Sequence, residues 1–295
     1  MKKGIDISKH DGVIDWQKAR NSGFVDFAIM RAGYGRLIEQ KDKKFEANYQ
    51  GCKENGIPCG AYWYSYAHSV AEIQIEARVF LQVIKEKQFE YPVYLDFEEK
   101  SQFNLGKAKC TEMAKAFLEI LENAGYYAGL YSSKSHLENY FSEEILRNYT
   151  VWVAHYGVSK TSYRYPFDIW QYSSDSSVPG INHKCDLNYC YKDDFPEIIK
   201  NAGLNGFTKN SNSPEKSVDE LAKEVLENKW GTGADRKARL TAAGYCYEAV
   251  QNAVNALLKT SAQPVGKPVE TVENPKHRFE FFIDGERKYS GLLDD

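Results

Sequence analysis

A chain of 295 residues has room for one large domain, or for a medium catalytic domain with an accessory one. Hydrophobic residues at 42% and charged residues at 27% are ordinary for a globular protein. With 41 acidic against 38 basic residues the net charge is -3, which argues against a nucleic-acid binder, and no run approaches the ~20 apolar residues of a membrane span. The opening MKKGIDISKHDGVIDW carries Asp6, Lys9, His10 and Asp11 where a secretory leader needs an apolar stretch. The expectation is a protein made in the cytoplasm without a signal peptide. The six cysteines form neither a CxxC pair nor a metal-finger spacing, so reduced and mostly buried thiols are expected.

Up to about residue 200, short β-rich runs alternate with helical stretches. Strands are expected near 3–7, 25–31, 58–64, 92–97, 126–131, 150–154, 167–171 and 186–190. Between them, Ile73, Ala77, Phe80, Leu81 and Ile84 repeat at helical spacing, as do Met113, Ala116, Phe117, Ile120 and Leu121 before Gly125. Such alternation implies parallel strands joined by helical crossovers, hence an α/β fold with a TIM-like β/α barrel. Weak helical signal between the last three strands makes the barrel irregular. Residues 1–200 are read as this barrel and 201–217, rich in Gly, Asn and Ser, as a linker.

A small three-helix bundle is expected over 218–259. Ser217 and Glu220 make a capping box, and Val218, Leu221, Ala222, Val225 and Leu226 form one apolar face, with the first helix ending near Trp230-Gly231. Further helices are expected at about 234–242, closed by Gly244, and 246–258. The remaining 260–295 reads as a spacer and a β-hairpin tail, its turn at Asp284-Gly285. A lone hairpin is marginal in water, so it is expected to dock on the chain or to support a homo-oligomer.

The chemistry concentrates at strand ends. In YPVYLDFEE, Asp96 and Glu98 sit two apart and therefore on one side of a strand, with Cβ atoms roughly 6.6 Å apart. At the C-terminal end of a barrel strand, two such carboxyls would repel, and one would keep its proton near neutral pH. Acid-catalysed glycoside cleavage requires that arrangement. Asp6 interrupts an apolar first strand, and Asp186 lies in another strand. An acid in such a place needs pairing, hydrogen bonds or a site to justify it. His10, His68, His155 and His183 lie near strand ends without a metal-binding spacing, so neither metal nor cofactor is expected. Tyr62, Tyr64, Tyr131, Trp152 and Trp170, with Gln171, are candidate sugar-binding residues, since sugar faces stack on aromatic rings. By strand alternation about half of them should instead face the helices.

GIDISKHDGVIDW, LDFE, GLYSS, IWQYSS and CDLNYC, in this order, resemble glycoside hydrolase family 25, lysozymes of the Chalaropsis type. The resemblance spans residues 1 to about 197. It implies cleavage of the β-1,4 bond between N-acetylmuramic acid and N-acetylglucosamine in peptidoglycan. It also implies Glu98 as general acid, Asp96 as the carboxylate that stabilises charge or orients the N-acetyl group, and Asp6 and Asp186 as the rest of the acidic floor. His10-Asp11 departs from the family pattern at a flank. Residues 218–258 resemble the cell-wall-binding repeat of the seventh type through WGTGADRKARLTAAGY. That implies Trp230, Asp235, Arg236, Arg239 and Tyr245 as muropeptide contacts. Six acids and six bases over 216–258 mean that such binding would not rest on net charge. The resemblance implies peptidoglycan as partner and a phage endolysin released from the cytoplasm through a holin. A non-catalytic wall-binding barrel and a chitinase-like glycosidase are the alternatives. The ~6.6 Å spacing lies nearer the inverting range, but attack by the substrate's own acetamido group, with retention, is the preferred route.

Overall fold

The structure is a computed structural model and describes residues 1–208, 216–243, 245–261, 278–283 and 286–292. Its first elements are β1 (Lys2–Ile7), α1 (Trp16–Asn21), β2 (Phe27–Tyr34), α2 (Phe45–Glu54), β3 (Cys59–Tyr64), α3 (Val70–Ile84), β4 (Val93–Asp96) and α4 (Gly106–Asn123). There follow β5 (Ala128–Ser133), α5 (Lys134–Tyr140), α6 (Glu143–Asn148), β6 (Thr150–Ala154), β7 (Ile169–Ser176), β8 (Cys185–Cys190) and α7 (Phe195–Ala202). The eight strands close into one barrel in chain order, β1 to β7 mutually parallel.

The last strand departs from the expected alternation. β8 runs antiparallel to both β7 and β1. Only residues 177–184 separate β7 from β8, fewer than the dozen or so that a parallel crossover needs, so the chain turns straight back.

Side chains divide into two layers by strand alternation. The outer layer joins Ile5, Ile7, Ala61, Trp63, Val93, Leu95 and Leu130 to the helices through Ile73, Phe80, Met113 and Phe117. The inner layer holds Phe27, Ile29, Tyr94, Tyr131, Trp152 and Ile169. Gly4 and Gly129 make room there, since a Cβ at either would lie 2.4 Å from the ring of Phe27 or Tyr94. This packing leaves the polar ends of the strands as the open end of the barrel.

The opposite end is closed by residues 195–207, so the expected linker does not begin at 201. Phe195 packs on Tyr91 and Tyr127, and Gly203 ends α7 in the left-handed conformation. Asn205, fully buried with φ 53°, accepts from Tyr127 N (2.8 Å) and donates to Phe89 O (3.1 Å) and Tyr91 O (2.9 Å). Residues 209–215 of the expected linker lie outside the described residues.

Beyond it come α8 (Val218–Leu226), α9 (Gly233–Ala242) and α10 (Tyr247–Ser261). The Ser217–Glu220 capping box is present. α8 stops four residues before Trp230, because Asn228 takes a left-handed φ of 58°. By internal contacts the chain divides into Met1–Val254 and Asn255–Asp295. In the second unit β9 (Arg278–Ile283) pairs antiparallel with β10 (Glu286–Leu292). The expected turn residues Asp284 and Gly285, the helix stop Gly244 and the spacer 262–277 lie outside the described residues.

Replacing Asn205 by Ala strands one buried amide and two carbonyls and adds the cost of a left-handed non-glycine residue. The Asn205→Ala protein is expected to lose about 3–4 kcal/mol in urea unfolding, well beyond a surface change.

Candidate active site

β1, β4 and β8 bring the acids together. Asp6 faces Asp186 directly across the antiparallel β1–β8 pair. Asp6 is 4% exposed, and its Oδ2 accepts from Gln171 Nε2 (2.8 Å) and Asn188 Nδ2 (2.7 Å). Both partners are themselves held. Asn188 Oδ1 accepts from Trp152 Nε1 (2.8 Å), and Gln171 Oε1 accepts from Tyr131 OH (2.7 Å) and Tyr156 OH (2.5 Å). Trp152 is wedged among Tyr131, Tyr94 and Tyr62, with ring centroids at 4.4, 5.3 and 5.9 Å. The floor of the site is thus an aromatic plug supporting a ring of amides.

Asp96 ends β4, and the ladder continues for one more bond, Phe97 N to Tyr131 O. Phe97 therefore turns outward into Phe103 and Phe141, which leaves Asp96 and Glu98 on the inner side. Asp96 is 3% exposed and its Oδ1 has no hydrogen-bond partner among the described residues. Glu98 is half-buried. Tyr64 stands opposite Asp96 on β3 and Tyr131 opposite it on β5.

Burial and mutual repulsion keep protons on this cluster. Burial first, and then the charge of Asp186, raise Asp6 well above the usual carboxylate range. Burial also pushes Asp186 up to about 6. Asp6 is the more deeply buried of the pair. Burial, followed by Glu98 and Asp6, raises Asp96, while Arg31 pulls it down. Burial, Asp186 and Glu99 push Glu98 up to about 7. Arg31 is fixed by Asp42, which accepts from its Nε at 2.8 Å and lies 2.7 Å from its second guanidinium nitrogen. Among the described residues no group of three or more His, Cys, Asp or Glu side chains could hold a metal ion.

Of the expected sugar-binding residues, Tyr62, Tyr64, Tyr131, Trp152 and Gln171 lie with the acids. Trp170 does not. It faces the other side of β7 from Gln171, buried in the outer layer with its Nε1 donating to His155 O (2.8 Å). Asn188, Arg31 and Tyr156 are site residues that motif reading missed. Asn188 follows Asp186 by two in its strand, so the same alternation that paired Asp96 with Glu98 could have found it. The unusual Asp11 has a local role: with Ser8 it makes a capping box after β1, accepting from Ser8 N at 2.8 Å.

The five residues expected to touch the wall fall into two groups. Asp235 and Arg239 turn to the barrel: Lys192 Nζ is 2.7 Å from Asp235, Arg239 pairs with Asp194, and the two also bond each other at 2.9 Å. Ala238 beside them is buried against the inner layer. Arg236 braces its own module, donating to Gly231 O (3.0 Å) and Gln251 Oε1 (3.2 Å). Trp230 meets Tyr245 edge to face and donates to Glu224 (2.9 Å), with Lys216 above its ring. Both rings are half-buried.

The site is thus a cluster of four buried or half-buried carboxyls, Asp6, Asp96, Glu98 and Asp186, at the open end of the barrel. The family model for glycosyl hydrolases family 25 matches residues 5–181, more than half of the chain, and the CW_7 repeat matches residues 219–258. The chain belongs to glycosyl hydrolases family 25, and is a glycoside hydrolase of the lysozyme kind. The uncharacterized protein YegX of Escherichia coli O157:H7 is 34% identical over 198 residues, covering 63% of this chain and 68% of its own. The lysozyme of Streptococcus phage Cp-7 is 29% identical over 211 residues, 68% of this chain and 56% of its own. The solved autolysin LytC of Streptococcus pneumoniae is 29% identical with a TM-score of 0.56, over 63% of this chain and 46% of its own. This chain thus spans about half the length of the last two.

Raised carboxyls bind protons more tightly in the folded than in the unfolded chain. Their contribution to stability is complete at low pH and is lost as pH rises through the raised values, about 6 for Asp186 and about 7 for Glu98. Glu98→Gln should therefore melt higher than the parent at pH 8, by about 1–2 kcal/mol after allowance for the partial exposure of Glu98. The gap should close towards pH 5 in thermal unfolding followed by circular dichroism.

Proposed function

We propose that the chain is an endolysin-type muramidase that hydrolyses the β-1,4 bond between N-acetylmuramic acid and N-acetylglucosamine in peptidoglycan. One observation carries the reading. Glu98 is a half-buried carboxyl raised to about 7, without an ion pair among the described residues, beside a fully buried Asp96 at the open end of the barrel. A group so placed is protonated in a useful fraction at neutral pH and reachable by a leaving-group oxygen.

In the proposed route Glu98 gives its proton to the glycosidic oxygen as that bond breaks. The acetamido carbonyl of the muramic acid attacks the anomeric carbon, and the positive charge spreads onto the acetamido group. Asp96 accepts the acetamido N–H, and that cation favours its ionised form, assisted by Arg31. The ionised Glu98 then takes a proton from water, which opens the intermediate with retention. Asp6 and Asp186 keep one proton between them, so that the floor does not carry the full repulsion of four carboxylates. Tyr62, Tyr64 and Tyr131 line the sugar path, and the repeat supplies wall affinity through the Trp230–Tyr245 side. The phage lysozyme likeness supports an endolysin role, with access to the wall through a holin.

Digestion of purified peptidoglycan, borohydride reduction of the new ends and mass spectrometry test the reading. Reduced muramic acid ends are expected, lowered at least ~100-fold in Glu98→Gln. Reduced glucosamine ends would mean a glucosaminidase, and cleavage of chitin oligomers in preference would mean a chitinase-like enzyme. No new ends, with the protein still pelleting on walls, would leave a binding protein. The rate should fall above pH ~7, where Glu98 loses its proton.

A further inference from the structure

Outside the acid cluster, three fully buried polar side chains gather at the loops behind the site: Glu76 on α3, Ser65 in the loop after β3, and Gln102 in the loop after β4. Polar groups so deep cost several kcal/mol unless their hydrogen bonds are made, and these bonds all converge on the two loops that carry the site. Glu76 Oε1 accepts from Tyr66 N (2.9 Å). Ser65 Oγ accepts from Gln102 Nε2 (3.0 Å) and Ala67 N (3.2 Å), which fills both of its lone pairs. The second Glu76 oxygen, Oε2, is buried and has no hydrogen-bond partner among the described residues. Gln102 Nε2 also donates to Ala67 O (2.8 Å). The β3 loop reaches the catalytic strand itself, where Ser65 N donates to the main-chain carbonyl of Asp96 (3.0 Å).

From this geometry we infer that Glu76 is a positioning residue for the hydrolysis: through Tyr66 N it fixes the β3 loop, whose Ser65 N holds the Asp96 carbonyl, and so sets the carboxyls against the tyrosine-lined sugar path. A carboxylate suits the place because it only accepts, and it faces a donor, Tyr66 N. A glutamine can keep that bond through its own carbonyl oxygen. An alanine cannot accept it. Catalytic rates are steep in such placement, since an error of about 1 Å can cost ~100-fold.

The inference rests on Glu98 being the acid, so Glu98→Gln is measured alongside. The assay is kcat and KM on purified peptidoglycan for the full chain and for Glu76→Gln, Glu76→Ala and Gln102→Ala, corrected for folded fraction by circular dichroism. The expected order is a fall in kcat within ~5-fold for Glu76→Gln and ~30-fold or more for Glu76→Ala. KM should change little, and the alkaline limb of the rate profile should stay where Glu98 sets it. Wild-type kcat in folded Glu76→Ala would overturn the inference. So would an alkaline limb that moves in Glu76→Gln, which would mean that the Glu76 charge acts directly on Glu98. If Glu98→Gln keeps full activity, the assignment of the acid fails. A normal Glu76→Ala beside a dead Glu98→Gln removes the positioning role alone.

Discussion

The desolvation of four carboxyls at one end of a barrel is the constraint around which the rest of the molecule is arranged. Isolated charges there would be prohibitive. Burial raises Asp6 and Asp186 above the usual carboxylate range, Asp6 accepts two amide hydrogen bonds, and the charge of Arg31 offsets part of the burial of Asp96. Each of these devices needs a rigid support. Trp152 fixes Asn188, Tyr131 and Tyr156 fix Gln171, and Asp42 fixes Arg31. The aromatic filling of the barrel is therefore more than a core, since its polar tips aim outward and orient the groups around the acids.

The same constraint separates the roles of similar residues. Glu98 and Asp96 are two residues apart, yet Glu98 remains half-buried while Asp96 is sealed. Solvent reaches the first and keeps it able to exchange protons at neutral pH. The second is better suited to receive a donor or a cation than to trade protons with water. The stability sacrificed by holding these acids protonated is the usual cost of a prepared site. It is offset at the other end of the barrel, where Phe195, Ile198, Ile199 and the Asn205 hydrogen bonds seal the inner layer.

The helical repeat meets the barrel through charged and small residues. α9 sets Asp235 and Arg239 against Lys192 and Asp194, and Gly233 comes so near that a Cβ would lie 2.2 Å from Arg147 O. Only a residue without a side chain permits that approach. The Trp230–Tyr245 edge has Lys216 and Glu224 as its polar neighbours.

Local pattern determined much of this protein. Eight β-rich runs with period-two alternation, two helices at three-to-four spacing and the Ser217–Glu220 cap are short-range features, and the structure contains them all. Asp96 and Glu98 were legible for the same reason, because alternation along one strand fixes which residues share a face. Tertiary structure decided what depends on pairs far apart in sequence. The short β7–β8 connection turned the last strand antiparallel and thereby set Asp186 opposite Asp6, 180 positions away in the chain. Alternation put Trp170 and Gln171 on opposite faces, but only closure of the barrel chose Gln171 for the inside. The support of Asp6 by Asn188, the seal made by Asn205 and the turn of Asp235 and Arg239 towards the barrel are of the same kind. Periodicity is written residue by residue, whereas burial and its electrostatic consequences exist only once the sheet has closed.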